Sequence, residues 1–164
     1  KPFQDSRAKR IMIKLTTSGG CKIDRATGFL AKLGAWAYLL ESEEESYHSY
    51  GTALNTTDNK MEMTAVIEGL KVITEASNIQ ITINSAYLMN GATIWIYTWK
   101  RNNWHTSNGE PVPNKDLWMT LEELISSHVS ITWRLDDNTS NDQSILFTDR
   151  LCQLALKEVI SGLR

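Results

Sequence analysis

The chain has 164 residues, of which 41% are hydrophobic and 22% are charged, and its formal net charge is −2. These values are typical of a soluble globular domain, and no apolar run approaches the ~20 residues that span a bilayer. The small negative net charge gives no general indication of a nucleic-acid partner.

The first residues and the cysteines set expectations for the domain and its compartment. Residues 1–10 are polar and are expected to form a tail, which leaves 11–164 as a single domain. Cys21 and Cys152 are too few for a disulfide framework, so we expect a cytoplasmic or otherwise reducing compartment.

Three strands are predicted early in the domain. Apolar and polar side chains alternate over 11–17, which predicts a first strand, and residues 18–20 are expected to end it in a turn. The runs 34–40 and 46–53 predict a second and a third strand, separated by a short Glu-rich turn. Consecutive strands joined by turns indicate an antiparallel meander.

A periodic helix follows, predicted over 59–76. Its apolar residues recur at intervals of three and four: Met63, Val66, Ile67, Leu70 and Ile73. Asn59 can act as the N-cap, and Glu62 can complete a capping box by reaching back to the cap amide. This local role explains Glu62 without any functional site.

The second half of the chain predicts two more strands and three more helices. Residues 79–84 and 129–135 alternate as strands do. A helix over 86–99 is expected to begin at Ser85 and to be weakened by Gly91. Its apolar face is expected to hold Leu88, Ile94 and Trp95.

Two further helices complete the element order. Asn114 is predicted to cap the first of them, which carries Leu117, Trp118 and Leu121. A polar loop over 136–144 precedes the second. The resulting order, β-β-β-α-β-α-α-β-α, predicts a mixed sheet with helices on its faces.

Short motifs spread over residues 11–160 resemble those of type 1 ribonuclease H. Residues 15–21, Leu-Thr-Thr-Ser-Gly-Gly-Cys, resemble the family's hydrophobic-x-T-D-G-S-C. Three more segments resemble T-T-N-N-R-M-E-L, S-T-D-S-Q-Y and C-D-E-L, namely 56–63, 82–87 and 148–151. The densest match covers 95–104 and 111–118, which resemble W-I-x-x-W-K-x-x-x-W and K-P-V-K-N-x-D-L-W.

The resemblance implies a ribonuclease H-like α/β fold. Its five-stranded mixed sheet has strands 1–3 antiparallel, strands 4 and 5 parallel to strand 1, and helices on both faces. The family cleaves RNA in RNA–DNA hybrids with two Mg²⁺ ions held by Asp, Glu, Asp and Asp. Those ligand positions correspond here to Ser18, Glu62, Asn84 and Asp149.

The departures from the family's ligand set carry functional information. Mg²⁺ needs anionic oxygen, because only charge offsets the removal of its waters. With Ser18 and Asn84 in place of Asp, we expect no bound cofactor, or only weak Mg²⁺ or Mn²⁺ binding at Glu62 and Asp149. The family's loop His is also missing from 136–142, and its Gly/Pro-rich loop is replaced over 22–27.

The family grips its hybrid with a basic protrusion. The counterparts of that protrusion include Lys100, Arg101 and Trp104, and we expect Asn59 and Lys60 to contact nucleic acid as well. The other tryptophans of this part of the chain are expected to lie in the core: Trp95, Trp99 and Trp118.

These observations predict a ribonuclease H-like domain whose nuclease is impaired or inactive. It would bind an RNA–DNA hybrid or duplex, or serve as a structural domain, with no membrane partner. One alternative is a protein-interaction module in a larger assembly. Another is a weak metal-dependent endoribonuclease that uses Glu62 and Asp149, joined by Asp136, Asp137 or Asp142. Asp149 is equally explained as a charge favoured by the N-terminus of its helix.

Overall fold

The computed structural model describes residues 12–23, 32–137 and 141–163. Several predictions fall outside these ranges: the tail over 1–10, Ile11, most of the loop over 22–27, and residues 138–140 of the loop that lacks a His. None of the described helices is long and apolar enough to cross a bilayer.

The five strands form one sheet in the order β3-β2-β1-β4-β5. β1 pairs antiparallel with β2, and β2 pairs antiparallel with β3. β4 runs parallel to β1, and β5 runs parallel to β4. The predicted mixed topology is therefore confirmed. The strands are β1 (Met12–Ile23), β2 (Lys32–Glu41), β3 (Ser46–Leu54), β4 (Asn78–Ile83) and β5 (Ser130–Leu135).

The helices follow the predicted order with shifted ends. α1 is shorter than predicted and begins one residue earlier, and the helix after β4 is interrupted by a π-helical turn over Gly91–Trp95. The α-helices are α1 (Asp58–Val72), α2 (Ala86–Asn90), α3 (Ile96–Arg101), α4 (Lys115–Ser126) and α5 (Gln143–Leu163).

The expected turn at residues 18–20 is wrong. β1 continues through these residues to Ile23, and Ser18, Gly19 and Gly20 pair with Ala37, Trp36 and Ala35 of β2. The glycine at 19 serves helix packing, since an added Cβ would lie 2.6 Å from the backbone nitrogen of Glu62. α1 can therefore cross β1 at very short range.

The core lies between the sheet and the helices α1 and α4. The five apolar positions predicted for α1 are all buried, and Trp118 of α4 is fully buried. Trp118 also explains why residue 91 is a glycine, because a Cβ there would lie 2.0 Å from its ring. The expected face of the preceding helix was partly wrong: Ile94 is 59% exposed, while Ala92 and Ile96 are buried.

α5 covers the opposite face of the sheet. Neighbouring strand residues point to opposite faces, so Gly19 meets α1 while Ser18 meets α5. α5 begins at Gln143, with Asp142 accepting a hydrogen bond from the Ser144 backbone. The explanation of Asp149 as an N-terminal charge is therefore wrong, because Asp149 lies beyond the first turn.

Candidate active site and nucleic-acid interface

The four positions implied by the resemblance meet at one end of the sheet. The parallel ladder between β1 and β4 ends at the pair Thr16 and Thr82, so Ser18 and Asn84 each follow it by two residues. Glu62 lies where α1 crosses β1, and Asp149 approaches from α5. The fold therefore brings together residues from two strands and two helices.

Ser18 is hydrogen-bonded to α5 and is only 4% exposed. Its Oγ donates to Asp149 Oδ1 at 2.6 Å and lies 2.7 Å from Thr148 Oγ1. A serine hydroxyl has one proton and a carboxylate has none, so the Ser18 proton belongs to the bond with Asp149. Thr148 can donate to Ser18 or to the Ile145 carbonyl, 3.1 Å away. Ser18 thus links β1 to α5.

Glu62 lies on α1, and its backbone is close to Gly19 of β1. Burial raises the pKa of the Glu62 carboxyl, a hydrogen bond from the Ser85 side chain opposes this increase, and the nearby Asp58 carboxylate adds to it. Ser85 also caps α2, since its Oγ accepts from the Leu88 backbone at 3.1 Å. Ser85 was predicted as that cap, but its contact with Glu62 was not anticipated.

The capping box predicted for α1 is wrong. Thr57 is the N-cap, and its Oγ1 accepts from the Lys60 backbone at 3.1 Å. Asn59 is inside the helix, so Glu62 has no role in closing its first turn. Asp58 instead accepts a hydrogen bond from the Cys21 backbone at 2.7 Å, which fixes the start of α1 against β1.

Residues of β1, α1 and α5 line a cleft with a volume of about 180 Å³, and both cysteines are among them. Both are free thiols, as the composition predicted. Burial, followed by the Asp149 carboxylate, raises the pKa of Cys152 to about 12. Burial is also the main reason that the pKa of Cys21 is raised. Neither thiol is activated as a nucleophile, because that requires the thiolate form.

The donor set differs from that of a magnesium pair. The four positions supply two carboxylates, one amide and one hydroxyl, and the hydroxyl is already bonded to Asp149. Among residues 12–23, 32–137 and 141–163, no three His, Cys, Asp or Glu side chains are grouped so that they could hold a metal ion. Asp142 is engaged elsewhere, 3.6 Å from Arg134 and at the start of α5.

A groove of about 550 Å³ lies between the first turns of α1 and α4. Lys60 and Lys115 line it together with Asn114 and Asp116. Asn114 is the N-cap residue of α4 as predicted, but its side chain makes no capping hydrogen bond, and its Nδ2 donates to the Tyr87 hydroxyl at 3.3 Å. Asn114 and Lys115 line this groove but were not among the residues predicted to contact nucleic acid, although the match over 111–118 includes them.

The protrusion is more tightly packed than its sequence indicates. Lys100 and Arg101 are both exposed, and Lys100 forms a salt bridge with Glu122 of α4. Trp104 is partly buried against the core, and its backbone NH donates to the Trp99 carbonyl at 2.7 Å. The expectation that Trp104 would differ from the packed tryptophans is therefore wrong. Trp99 lies between Trp95 and Trp118, with ring centroids 5.9 and 5.4 Å away.

The architecture and the site together define a ribonuclease H-like domain, and comparison with known proteins gives the family. A family model described as RNase H matches residues 15–135. The chain is 37% identical over 131 residues to the Ribonuclease H of Rickettsia akari, covering 80% of this chain and 86% of that protein. It is 36% identical over 147 residues to the Ribonuclease H of Hydrogenovibrio crunogenus, covering 90% and 97%. The chain belongs to the ribonuclease H family.

Solved structures share the fold at lower identity. LC9-RNase H1, described as a type 1 RNase H with the type 2 active-site motif, matches with a TM-score of 0.75 and 19% identity over 88% of this chain and 72% of its own. The foamy viral protease-reverse transcriptase in complex with an RNA/DNA hybrid matches with a TM-score of 0.69 and 14% identity, over 94% of this chain and 21% of its own.

Proposed function

We propose that this chain is a ribonuclease H domain that binds RNA–DNA hybrids or duplexes and cleaves them weakly or not at all. The hydrogen bond from Ser18 to Asp149, at 2.6 Å, carries this proposal. It places a neutral donor where the family has a carboxylate, and it uses a lone pair of one of the two carboxylates that remain.

The chemistry of the donors argues against a magnesium pair. Mg²⁺ sheds its waters only for strongly anionic ligands in near-octahedral geometry. Ser18 is a protonated hydroxyl and Asn84 supplies only a neutral amide oxygen. The residues present therefore do not fit two Mg²⁺ ions.

Retained binding is supported by the surface around the cleft. Lys60 and Lys115 line the groove between the first turns of α1 and α4, and Arg101 is exposed on α3. Such cations neutralise backbone phosphates and release condensed counterions, which is the main source of affinity in sequence-independent binding. The curated relatives are named for an activity on nucleic acid, and the foamy viral enzyme of the same fold was solved with a hybrid.

A gel assay with an end-labelled RNA–DNA hybrid, read for both mobility shift and cleavage, tests the proposal. We expect a shift that weakens as salt rises, with no cleavage in Mg²⁺ above a buffer control. Mn²⁺ is included because it would reveal a residual one-metal activity. Robust Mg²⁺-dependent cleavage that Glu62→Gln abolishes would refute the impaired centre. An absent or salt-insensitive shift would favour a protein-interaction module instead.

A further inference from the structure

A second groove lies on the α5 side of the cleft, and nothing in the proposed function uses it. Its volume is about 470 Å³, and it is named here the α5 groove. It is lined by Lys22, Gln153, Leu156, Lys157, Ile160 and Ser161. Two cations, an amide and a hydroxyl thus surround two aliphatic side chains, and none of these lining residues is acidic.

The lack of acidic residues in this lining distinguishes the α5 groove from its neighbours. The cleft contains Asp58 and Asp149, and the groove at the start of β1 pairs Lys14 with Glu41 and Glu43. In the α5 groove, Lys22 and Lys157 are exposed, and neither forms an ion pair with another residue in the part of the chain that the structure describes. Its positive charge is therefore not cancelled by the residues that line it.

We propose that the α5 groove binds the sugar–phosphate backbone of the nucleic-acid strand that crosses the cleft. This inference rests on the proposed function, because it extends the same interface. Lysine ammonium groups bind phosphate as point charges, and the Gln153 amide and Ser161 hydroxyl can donate to phosphate oxygens. Leu156 and Ile160 offer an apolar floor for the sugars.

Continuity with the cleft favours a nucleic-acid strand over other anions. Leu156 lines both the cleft and the α5 groove, so the two surfaces adjoin. Asp149 and Lys157 are both on α5, eight residues apart, which corresponds to about 12 Å along the helix axis. One strand of a duplex carries a phosphate every ~3.4 Å of axis, so the groove lies roughly three to four phosphates from Asp149. An acidic peptide could also bind two lysines, but nothing places such a peptide in the cleft.

Fluorescence anisotropy with a labelled RNA–DNA hybrid, measured over a salt series, tests the α5 groove. The test variant carries Lys22→Gln and Lys157→Gln. A matched control carries Lys14→Gln and Lys71→Gln, which removes the same charge elsewhere; Lys71 is in the last turn of α1 and pairs with Glu68. All four lysines are exposed, so both proteins are expected to melt like the unmodified chain.

We expect the test variant to bind more weakly and to reduce the slope of log affinity against log salt by about two, because each of the two lysines would no longer neutralise a phosphate. The control is expected to keep the full slope. Equal slopes in the two variants would refute binding of the strand in the α5 groove and would leave the proposed function in place.

Two other outcomes separate the remaining explanations. No binding by the unmodified chain would refute the proposed function itself, and the α5 groove with it. A labelled polyglutamate peptide is the second probe. If the test variant failed to bind the peptide but bound the hybrid as the unmodified chain does, the groove would be a peptide site and the nucleic-acid assignment would be wrong.

Discussion

Replacing Ser18 by Asp tests the central contact of the site. Ser18 is buried, and its Oγ lies 2.6 Å from Asp149 Oδ1, so Ser18→Asp places two carboxylates in contact without a metal between them. At 4 Å and an effective dielectric constant of 20, two unit charges repel by about 4 kcal/mol. The variant should therefore be much less stable than the unmodified chain at neutral pH.

Proton uptake limits this penalty and makes it depend on pH. The introduced carboxyl can escape repulsion by taking up a proton, which costs about 1.36 kcal/mol for each pH unit above its ordinary pKa near 3.9. The limit is thus about 4 kcal/mol at pH 7 and about 1.5 kcal/mol at pH 5. Because this pKa is raised in the folded state, the variant loses stability as pH rises.

Thermal melting in EDTA measures the effect. One kcal/mol corresponds to about 2–4 °C for a chain of this size, so Ser18→Asp should lower Tm by about 8–16 °C at pH 7 and by about 3–6 °C at pH 5. Ser18→Ala is the matched control, because it removes the hydrogen bond to Asp149 without adding charge. If Ser18→Asp and Ser18→Ala differ by the same amount at both pH values, the two side chains are not adjacent and the reasoning is wrong.

Mg²⁺ completes the same experiment. The unmodified chain should show almost no change in Tm with millimolar Mg²⁺. Ser18→Asp combined with Asn84→Asp should bind the ion and gain about 2.7 kcal/mol when Mg²⁺ is a hundred times its dissociation constant. A marked Mg²⁺ shift in the unmodified chain would mean that a working metal site is present.

Two further predictions concern other parts of the molecule. Glu122 forms a salt bridge with Lys100, so Arg101→Ala should reduce the salt dependence of hybrid binding more than Lys100→Ala does. Glu122→Gln should strengthen hybrid binding. Equal effects of the two alanine variants would contradict this reasoning. Burial lowers the pKa of His128, whose Nδ1 accepts from the Ser77 backbone at 3.2 Å. The contribution of neutral His128 to stability is therefore present above pH ~6.5 and is lost as pH falls. His128→Asn should make the melting temperature depend less on pH between pH 5 and 7, which melting curves over a pH series would reveal.

The order of elements and the sheet topology could be read from the sequence because they depend on periodicity and on motif resemblance. The alternation over 79–84 and the helical spacing of Met63, Val66 and Leu70 report burial directly. Element ends were less predictable. Residues 18–20 have the composition of a turn, yet they continue β1. Gly19 is needed for the close approach of α1, which follows much later in the chain.

The candidate site shows the same division between local and distant information. The residue types at Ser18, Asn84, Glu62 and Asp149 were visible in the sequence, and so was the missing charge. The hydrogen bonds of the site were not visible, because Ser18 and Asp149 are 131 residues apart and their contact depends on how α5 is placed on the sheet. Asn59 and Thr57 are both residue types that cap helices, and only the geometry of the first turn shows that Thr57 is the N-cap of α1.

Ser18, which stands where the family has an Asp, makes a favourable contact at the site without a metal ion. An Asp at position 18 would repel Asp149, whereas Ser18 donates a hydrogen bond to it, so the loss of charge turns a repulsive contact into an attractive one. Ser85, which matches a serine of the family motif, also gives Glu62 a hydrogen bond. Each remaining carboxylate thus has a hydroxyl partner from another element, and these bonds tie α5 to β1 and α1 to the end of β4. A cluster of four carboxylates repels itself when no metal is bound, whereas this site joins the same elements through neutral donors.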